Sequence, residues 1–496
     1  MFVEVVTSVL FIWLLWYVIK THLESRKMPP GPFPLPFIGN IHQIGNDPPF
    51  TMDALCNKYG DVLKLTFPIG TVVMVNSGKL AQEALVTRKN DFSGRPIQDF
   101  YPADIILEGR DVVSSEYGPL LMFRRKLFKT ALHVFGGGVN IVEERLNSAV
   151  QEFLDQIQAM DSRPFHIKDY VSATISSQLW EWLSSRKYHY GDRKLNSIID
   201  FNEKFVAISN QGSLYQLFPL LRYLPTKFMQ TVKEVLTMRD EIFGMELEYH
   251  RQTYQEGVVR DVIDAFLATY ESEKAKGRSK DLGSIDDIKF IMVDVITAGS
   301  DTSISFVSWF ILYMVVKKDI QEKLHEELHQ VVGKDRLPHL EDVKNLPYLQ
   351  AVVCEVMRMT SFVPLLLPHQ TIRDTTLKGY HVPKKTTVFI NQYRIHNNPK
   401  EWNEPKLFKP ERFLDADGKF VGWTRTPAFL PFGIGRRACP GQDLGKMQVF
   451  LILSSLLHQF KLEMEDGEDV PSLVGDTAPG AIRCPKDYKV IARKRI

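Results

Sequence analysis

Residues 431–441 read PFGIGRRACPG. A single cysteine, Cys439, sits among glycines and arginines. How that thiol is read decides the fold: it is a nucleophile, a metal ligand or a buried structural residue. A nucleophilic cysteine needs a histidine and an orienting Asn or Asp, and nothing local supplies the pattern. No P-loop or GxGxxG opens a strand–helix unit. Metal ligation fits better. Gly433 and Gly435 allow a tight loop with backbone N–H groups aimed at the sulfur. A helix expected from about Gln442 favours an anion at its N-terminal end, and Arg436 and Arg437 favour thiolate. Gly441 leaves room for a flat ligand.

The remaining cysteines, Cys56, Cys354 and Cys484, are scattered with no CxxC pair. A disulfide framework or a zinc site is therefore excluded, and the usage fits a reducing compartment. The chain has 496 residues, 44% hydrophobic and 24% charged, with a net charge of +2. That balance gives no basis for nucleic-acid binding.

Residues 2–19 read FVEVVTSVLFIWLLWYVI, with Glu4 the only charge. At 1.5 Å per residue, about 18 residues just cross a bilayer core of roughly 30 Å. Lys20, His22, Arg26 and Lys27 follow, and the positive-inside bias puts what comes next in the cytosol. A transmembrane signal-anchor is expected over 2–19. A basic and proline-rich hinge is expected over 20–45, and a catalytic domain over 46–496. Residues 28–40, MPPGPFPLPFIGN, carry five prolines and read as a stiff connector.

Helical periodicity dominates the body, with β-like pieces at 62–75 and 376–388. The fold class is mainly α with small β-sheets. A long central helix is expected from about Ser284 to Val316. TAGSDTS at 297–303 interrupts its apolar flanks, and a functional bulge is expected there. A buried Asp301 and Thr302 need a polar purpose. Glu355 and Arg358 share a helical face in AVVCEVMR and read as a buried pair, with Arg412 of PERF as third member. A single thiolate facing a long buried helix points to a haem iron with oxygen chemistry on its opposite face.

FGIGRRACPG resembles the haem-binding signature of the cytochrome P-450 monooxygenases. AGSDTS, the Glu355–Arg358 pair, PERF at 410–413 and the anchor-plus-proline N-terminus extend the resemblance over the whole chain. It implies the P-450 fold and haem b, with O2 and NADPH as co-substrates. It makes Cys439 the axial thiolate ligand of the haem iron, with Phe432 shielding the sulfur. It places Arg437, His369 and Arg125 on the haem propionates, and Gly433, Gly435 and Gly441 in the haem loop. Ala298 and Gly299 would sit over the haem and make space for oxygen. Asp301 and Thr302 would deliver protons during oxygen activation. Glu355, Arg358 and Arg412 would form a structural network. Leu121 stands where the family usually has Trp, so one propionate hydrogen bond is expected to be missing.

Within the family, RDTTLKGYHVPKKTTVFINQYRIHNNPKEWNEP looks most similar to animal microsomal members, near steroid 17α-hydroxylases and aryl hydrocarbon hydroxylases. That resemblance implies a lipophilic, steroid-like or aromatic substrate lined by Asn202, Arg239, Ile296, Val363, Leu367 and Ile482. Residues 214–224, LYQLFPLLRYL, are apolar enough to touch the membrane. No flavin or NADPH motif appears, so electrons are expected from NADPH-cytochrome P-450 reductase, with cytochrome b5 as an optional partner. Lys126, Arg436 and Lys446 are candidates for the docking face. The expected location is the endoplasmic reticulum membrane, single-pass, with a cytosolic catalytic domain. The alternatives are a haem-thiolate isomerase or dehydratase working without a reductase, and a non-catalytic haem-binding sensor.

Overall fold

The computed structural model describes residues 2–45, 48–97, 100–135, 139–278, 282–465, 467, 471–473 and 482–495. The first element is helix α1, Phe2–Ser25, which runs past the expected 2–19 span and has no buried residue. Its length and apolar composition suit a bilayer. The prolines that follow do not form a free linker. Trp13 stacks on Phe37 with ring centroids 5.4 Å apart, and the Tyr17 hydroxyl donates to the Pro34 carbonyl at 3.1 Å. Asn40 is fully buried and accepts the Thr66 N–H at 2.7 Å. The Lys64 N–H donates to the Pro30 carbonyl at 2.8 Å. The connector is thus docked on the first strand.

That strand, β1 (Val62–Phe67), turns into β2 (Gly70–Val75) in antiparallel register, Val62 opposite Val75. The mostly helical body includes α2 (Pro119–Phe135), α3 (Ile167–Ser184), α4 (Arg193–Leu217) and α5 (Lys227–Arg239). The central helix α6, Asp287–Val316, crosses the core and is buried along most of its length. Being apolar nearly all round, it can be satisfied only by packing on every side. Next come α7 (Pro347–Thr360), β3 (His369–Gln370), β4 (Thr387–Ile390) and α8 (Gln442–Gln459). Strands β1, β2, β4 and β3 form one sheet in that order, with β2 and β4 parallel. This sheet carries His369 toward the core, where it is buried.

The expected bulge at 297–303 is absent: α6 is regular α-helix throughout. The Thr302 hydroxyl donates to the Ala298 carbonyl at 2.6 Å, and the Thr297 hydroxyl to Val293 at 2.9 Å. These side chains bond back to the preceding turn, so the polar residues stay inside the helix without breaking it.

Candidate active site

Cys439 lies between a single helical turn, Gly435–Arg437, and the start of α8. Its N–H donates to the Phe432 carbonyl at 2.9 Å, which closes the loop. Gly435 has φ of +76°, and a Cβ there would stand 2.1 Å from the Leu85 carbonyl oxygen, so only glycine fits. The chain encloses Cys439 and burial pushes its thiol up, yet the residue is exposed. Both hold if the sulfur faces an internal chamber. A backbone N–H of the loop, that of Gly441, is bonded to that sulfur. It acts with the Arg125 charge to favour thiolate. Gly441 has open space where a Cβ would be. Phe432 packs beside Trp423, their centroids 5.8 Å apart, with the Lys446 ammonium over both rings.

Three arginines converge near this loop. Arg437 Nε donates to the Ser93 carbonyl at 2.8 Å and its Nη2 to Ser115 at 2.7 Å. Its Nη1 is buried with no partner. Arg125 Nη2 donates to the Ala438 carbonyl at 3.0 Å. Arg95 was not singled out in the sequence. It is buried and donates to Val113 at 3.1 Å, to Leu367 at 3.0 Å and to Pro368 at 2.5 Å. Burial, then the charges of Arg437 and Arg125, pushes Arg95 down to about 9. Among the described residues no carboxylate pairs with any of the three. Buried cations without anions are costly, so this cluster calls for an anionic ligand. The two carboxylates of haem b meet that demand, and the enclosed thiol supplies the metal donor, so the residues fit the group. FSGRP, at 92–96, held the one available signal: an arginine next to proline.

His369 is buried beside these charges, with Nδ1 2.9 Å from the Phe92 carbonyl. Burial holds the ring well below its usual range, and Arg95 and Arg437 add to the effect. The neutral ring therefore donates from Nδ1 to Phe92. It cannot also donate to a carboxylate from Nε2 unless that anion raises its pKa. Leu121 is fully buried.

On α6, Ala298 is exposed and Gly299, Asp301 and Thr302 are half-buried, within a helix buried on either side. Ala298 and Thr302, one turn apart, open the helix to the interior. Burial pushes Asp301 up, and Lys168 of α3 partly offsets this. A Cβ at Gly299 would meet Leu179 Cδ1 of α3 at 3.0 Å, so this glycine serves close helix packing.

Away from the chamber, Glu355 and Arg358 are both fully buried. Arg358 holds Glu355 through Nε at 2.7 Å and Nη2 at 2.8 Å. Glu355 also accepts the Lys409 N–H at 2.8 Å and Arg412 Nε at 3.3 Å. Arg358 Nη1 reaches the His396 and Pro405 carbonyls, each at 2.8 Å. The trio fastens α7 to the segment that leads into the Cys439 loop.

The residues expected to line the substrate divide. Asn202 on α4 is buried with its Oδ1 unpartnered. Arg239 is buried, but its donors go to the Ile106 carbonyl at 2.8 Å, to Asp240 at 3.0 Å and 3.1 Å, and to Glu108 at 3.3 Å. Ile296 is fully enclosed in the core, unlike Ala298 two residues on, because the helix turns it away from the opening. Val363 and Ile482 are partly buried, and Leu367 is exposed.

The chain's relatives agree with this chemistry. A sequence model of the cytochrome P450 family matches residues 29–492. Cytochrome P450 1A1 of Rattus norvegicus is 32% identical over 457 residues, covering 90% of this chain and 87% of the relative. Steroid 17-alpha-hydroxylase/17,20 lyase of Ictalurus punctatus is 32% identical over 486 residues, covering 97% and 94%. Cytochrome P450 1A2 of Homo sapiens is 31% identical over 457 residues, covering 90% and 88%. An exposed thiol in a glycine-rich loop, arginines beside it with no carboxylate ion pair among the described residues and a family match over nearly the full length converge: this chain belongs to the cytochrome P450 family of haem-thiolate monooxygenases.

Proposed function

We propose that this chain is a membrane-anchored monooxygenase that hydroxylates a lipophilic, steroid-like or aromatic substrate. It takes O2 and electrons that pass from NADPH through a separate reductase. The observation that carries the reading is the opening in α6. A helix otherwise buried exposes Ala298 and half-exposes an acid and an alcohol, Asp301 and Thr302. Cys439, Arg437, Arg125, Arg95 and His369 would hold the haem, which supplies oxygen activation when bound. The Thr302 hydroxyl lies on this opening with its O–H held by the Ala298 carbonyl; it would relay a proton on release of that bond, with Asp301 beside it as the acid.

The substrate class rests on two supports. The relatives include a steroid 17-alpha-hydroxylase/17,20 lyase. Asn202 Oδ1 is a buried acceptor without a donor, which a substrate hydroxyl would satisfy. Arg239, tied to Asp240 and Glu108, is a weaker candidate. For the reductase, Arg436 and Lys446 stay near the loop but are engaged with Tyr117, Trp423 and Phe432. Lys126 is paired with Glu273 at 2.9 Å. Helix α1 supports placement in the endoplasmic reticulum membrane with the catalytic domain cytosolic.

The test is a titration of the ferric protein with steroids, polycyclic aromatics and fatty acids, followed at the Soret band. A low-to-high-spin shift with steroids, weakened by Asn202→Ala, supports the steroid reading. No shift with steroids discards it. Product formation without NADPH and reductase would favour the isomerase or dehydratase alternative.

A further inference from the structure

Two buried carboxyls lie outside the chemistry assigned above. Asp294 is on α6, one turn before Ala298, and Asp111 is in the segment 109–117 that precedes α2. They are 7% and 0% exposed. Asp294 Oδ2 accepts two backbone N–H groups of that segment, Val112 at 2.7 Å and Val113 at 3.0 Å. Asp111 accepts the Ser114 N–H at 2.7 Å and the Ser114 hydroxyl. The two side chains are also hydrogen-bonded to each other. A hydrogen bond between two carboxyls requires a proton on one of them.

The surrounding charges say which one. Arg95 and Arg437 both feel the charge of Asp111 and favour its ionised form. Arg124 Nη1 reaches the Gly109 carbonyl at 2.9 Å and the Asp111 carbonyl at 3.5 Å, but its Nη2 is neutralised by Asp287 at 2.6 Å. Among the described residues, Asp111 is the one charge found to act on Asp294. Burial, then Asp111, pushes Asp294 well above the carboxylate range. Two buried carboxylates in contact cannot both ionise cheaply, so the proton rests on Asp294.

The segment is more than a connection. Arg95 holds its Val113 carbonyl and Arg437 its Ser115 carbonyl, on the side of the Cys439 loop. Asp294 holds its amides on the side of α6. Segment 109–117 therefore spans from the thiol loop to the helix that opens at Ala298, as a wall of the chamber.

We propose that Asp111 and Asp294 share one proton and act as positioning residues, pinning segment 109–117 to the central helix and releasing this wall when the proton is lost. The closed wall binds one proton more tightly than a hydrated, open segment does. Falling pH therefore closes the clasp and rising pH opens it. The proton passes to solvent and no other group changes state.

The test is hydrogen exchange of the 109–117 amides in the full-length haem-loaded protein, from about pH 6 to about pH 9, corrected for intrinsic exchange. Loss of one linked proton makes opening about tenfold more favourable per pH unit. Wild-type protection should fall as pH rises until the shared proton is lost, while α3 amides stay protected. In Asp111→Asn the side-chain amide takes the place of the shared proton. The segment should then stay protected with no alkaline fall. Asp294→Ala should lose protection of the segment at every pH. An alkaline fall in Asp111→Asn equal to that of wild type would overturn the proposal, and so would wild-type protection independent of pH.

Discussion

The Thr302 hydroxyl donates to the Ala298 carbonyl at 2.6 Å, one turn back along the central helix. That bond keeps the helix regular where its sequence turns polar, and it holds the hydroxyl on the open face. Thr302→Ala removes the hydroxyl while leaving the backbone bonds of the helix intact. Product formed per NADPH consumed should fall by about tenfold or more, with little change in substrate affinity. Unchanged coupling in a reconstituted turnover assay would remove Thr302 from proton delivery.

Arg95 should matter for haem retention as much as Arg437. Arg95→Leu deletes one of two buried cations, Arg95 and Arg437, that form no ion pair with a carboxylate among the described residues. Haem should dissociate at least about tenfold faster into an apo-globin acceptor, a loss of at least about 1.4 kcal/mol. Retention equal to wild type would mean that Arg95 serves only the Val113, Leu367 and Pro368 carbonyls.

The Glu355–Arg358 pair should govern stability and leave the chemistry alone. Glu355→Ala strands a guanidinium in a fully buried site, and about 3–5 kcal/mol is expected to be lost in urea unfolding. A loss under about 1 kcal/mol would show that the His396 and Pro405 carbonyls suffice to hold Arg358.

His396 gives the fold an acid limit. Its Nε2 accepts the Leu430 N–H at 3.2 Å, which requires the neutral ring. Burial, then Arg358, pushes it down to about 3. The unfolded ring takes a proton near 6.5 while the folded ring does not. Stability from this group is therefore complete above pH 6.5 and is lost as pH falls toward 3, at up to about 1.4 kcal/mol per unit. Urea midpoints at descending pH should show this slope. His396→Gln should flatten it, and an identical slope in that variant would assign the acid limit elsewhere.

The Glu355–Arg358 pair and the long apolar helix were legible because helical spacing and an apolar composition all round are local patterns. A single thiol among glycines has few uses, and a helix apolar all round must be central. What the sequence hid depends on contacts between distant segments. A Cβ at Gly299 would meet Leu179, a contact set by helix rotation and not by local sequence. The expected bulge is absent because two hydroxyls bond back within the helix. Arg95 escaped notice because its partners, Val113, Leu367 and Pro368, meet it only after folding. The Asp111–Asp294 pair is invisible for the same reason: 182 positions separate Val112 from the carboxylate that holds it.

The central claim is that Cys439 is the axial ligand, and the reduced carbonyl spectrum of the haem-loaded chain tests it most directly. Wild type should give the red-shifted, thiolate-type Soret band. Cys439→Ser should lose that band while keeping the far-ultraviolet circular dichroism of the folded helical body. A thiolate-type band that survives in Cys439→Ser would contradict the account.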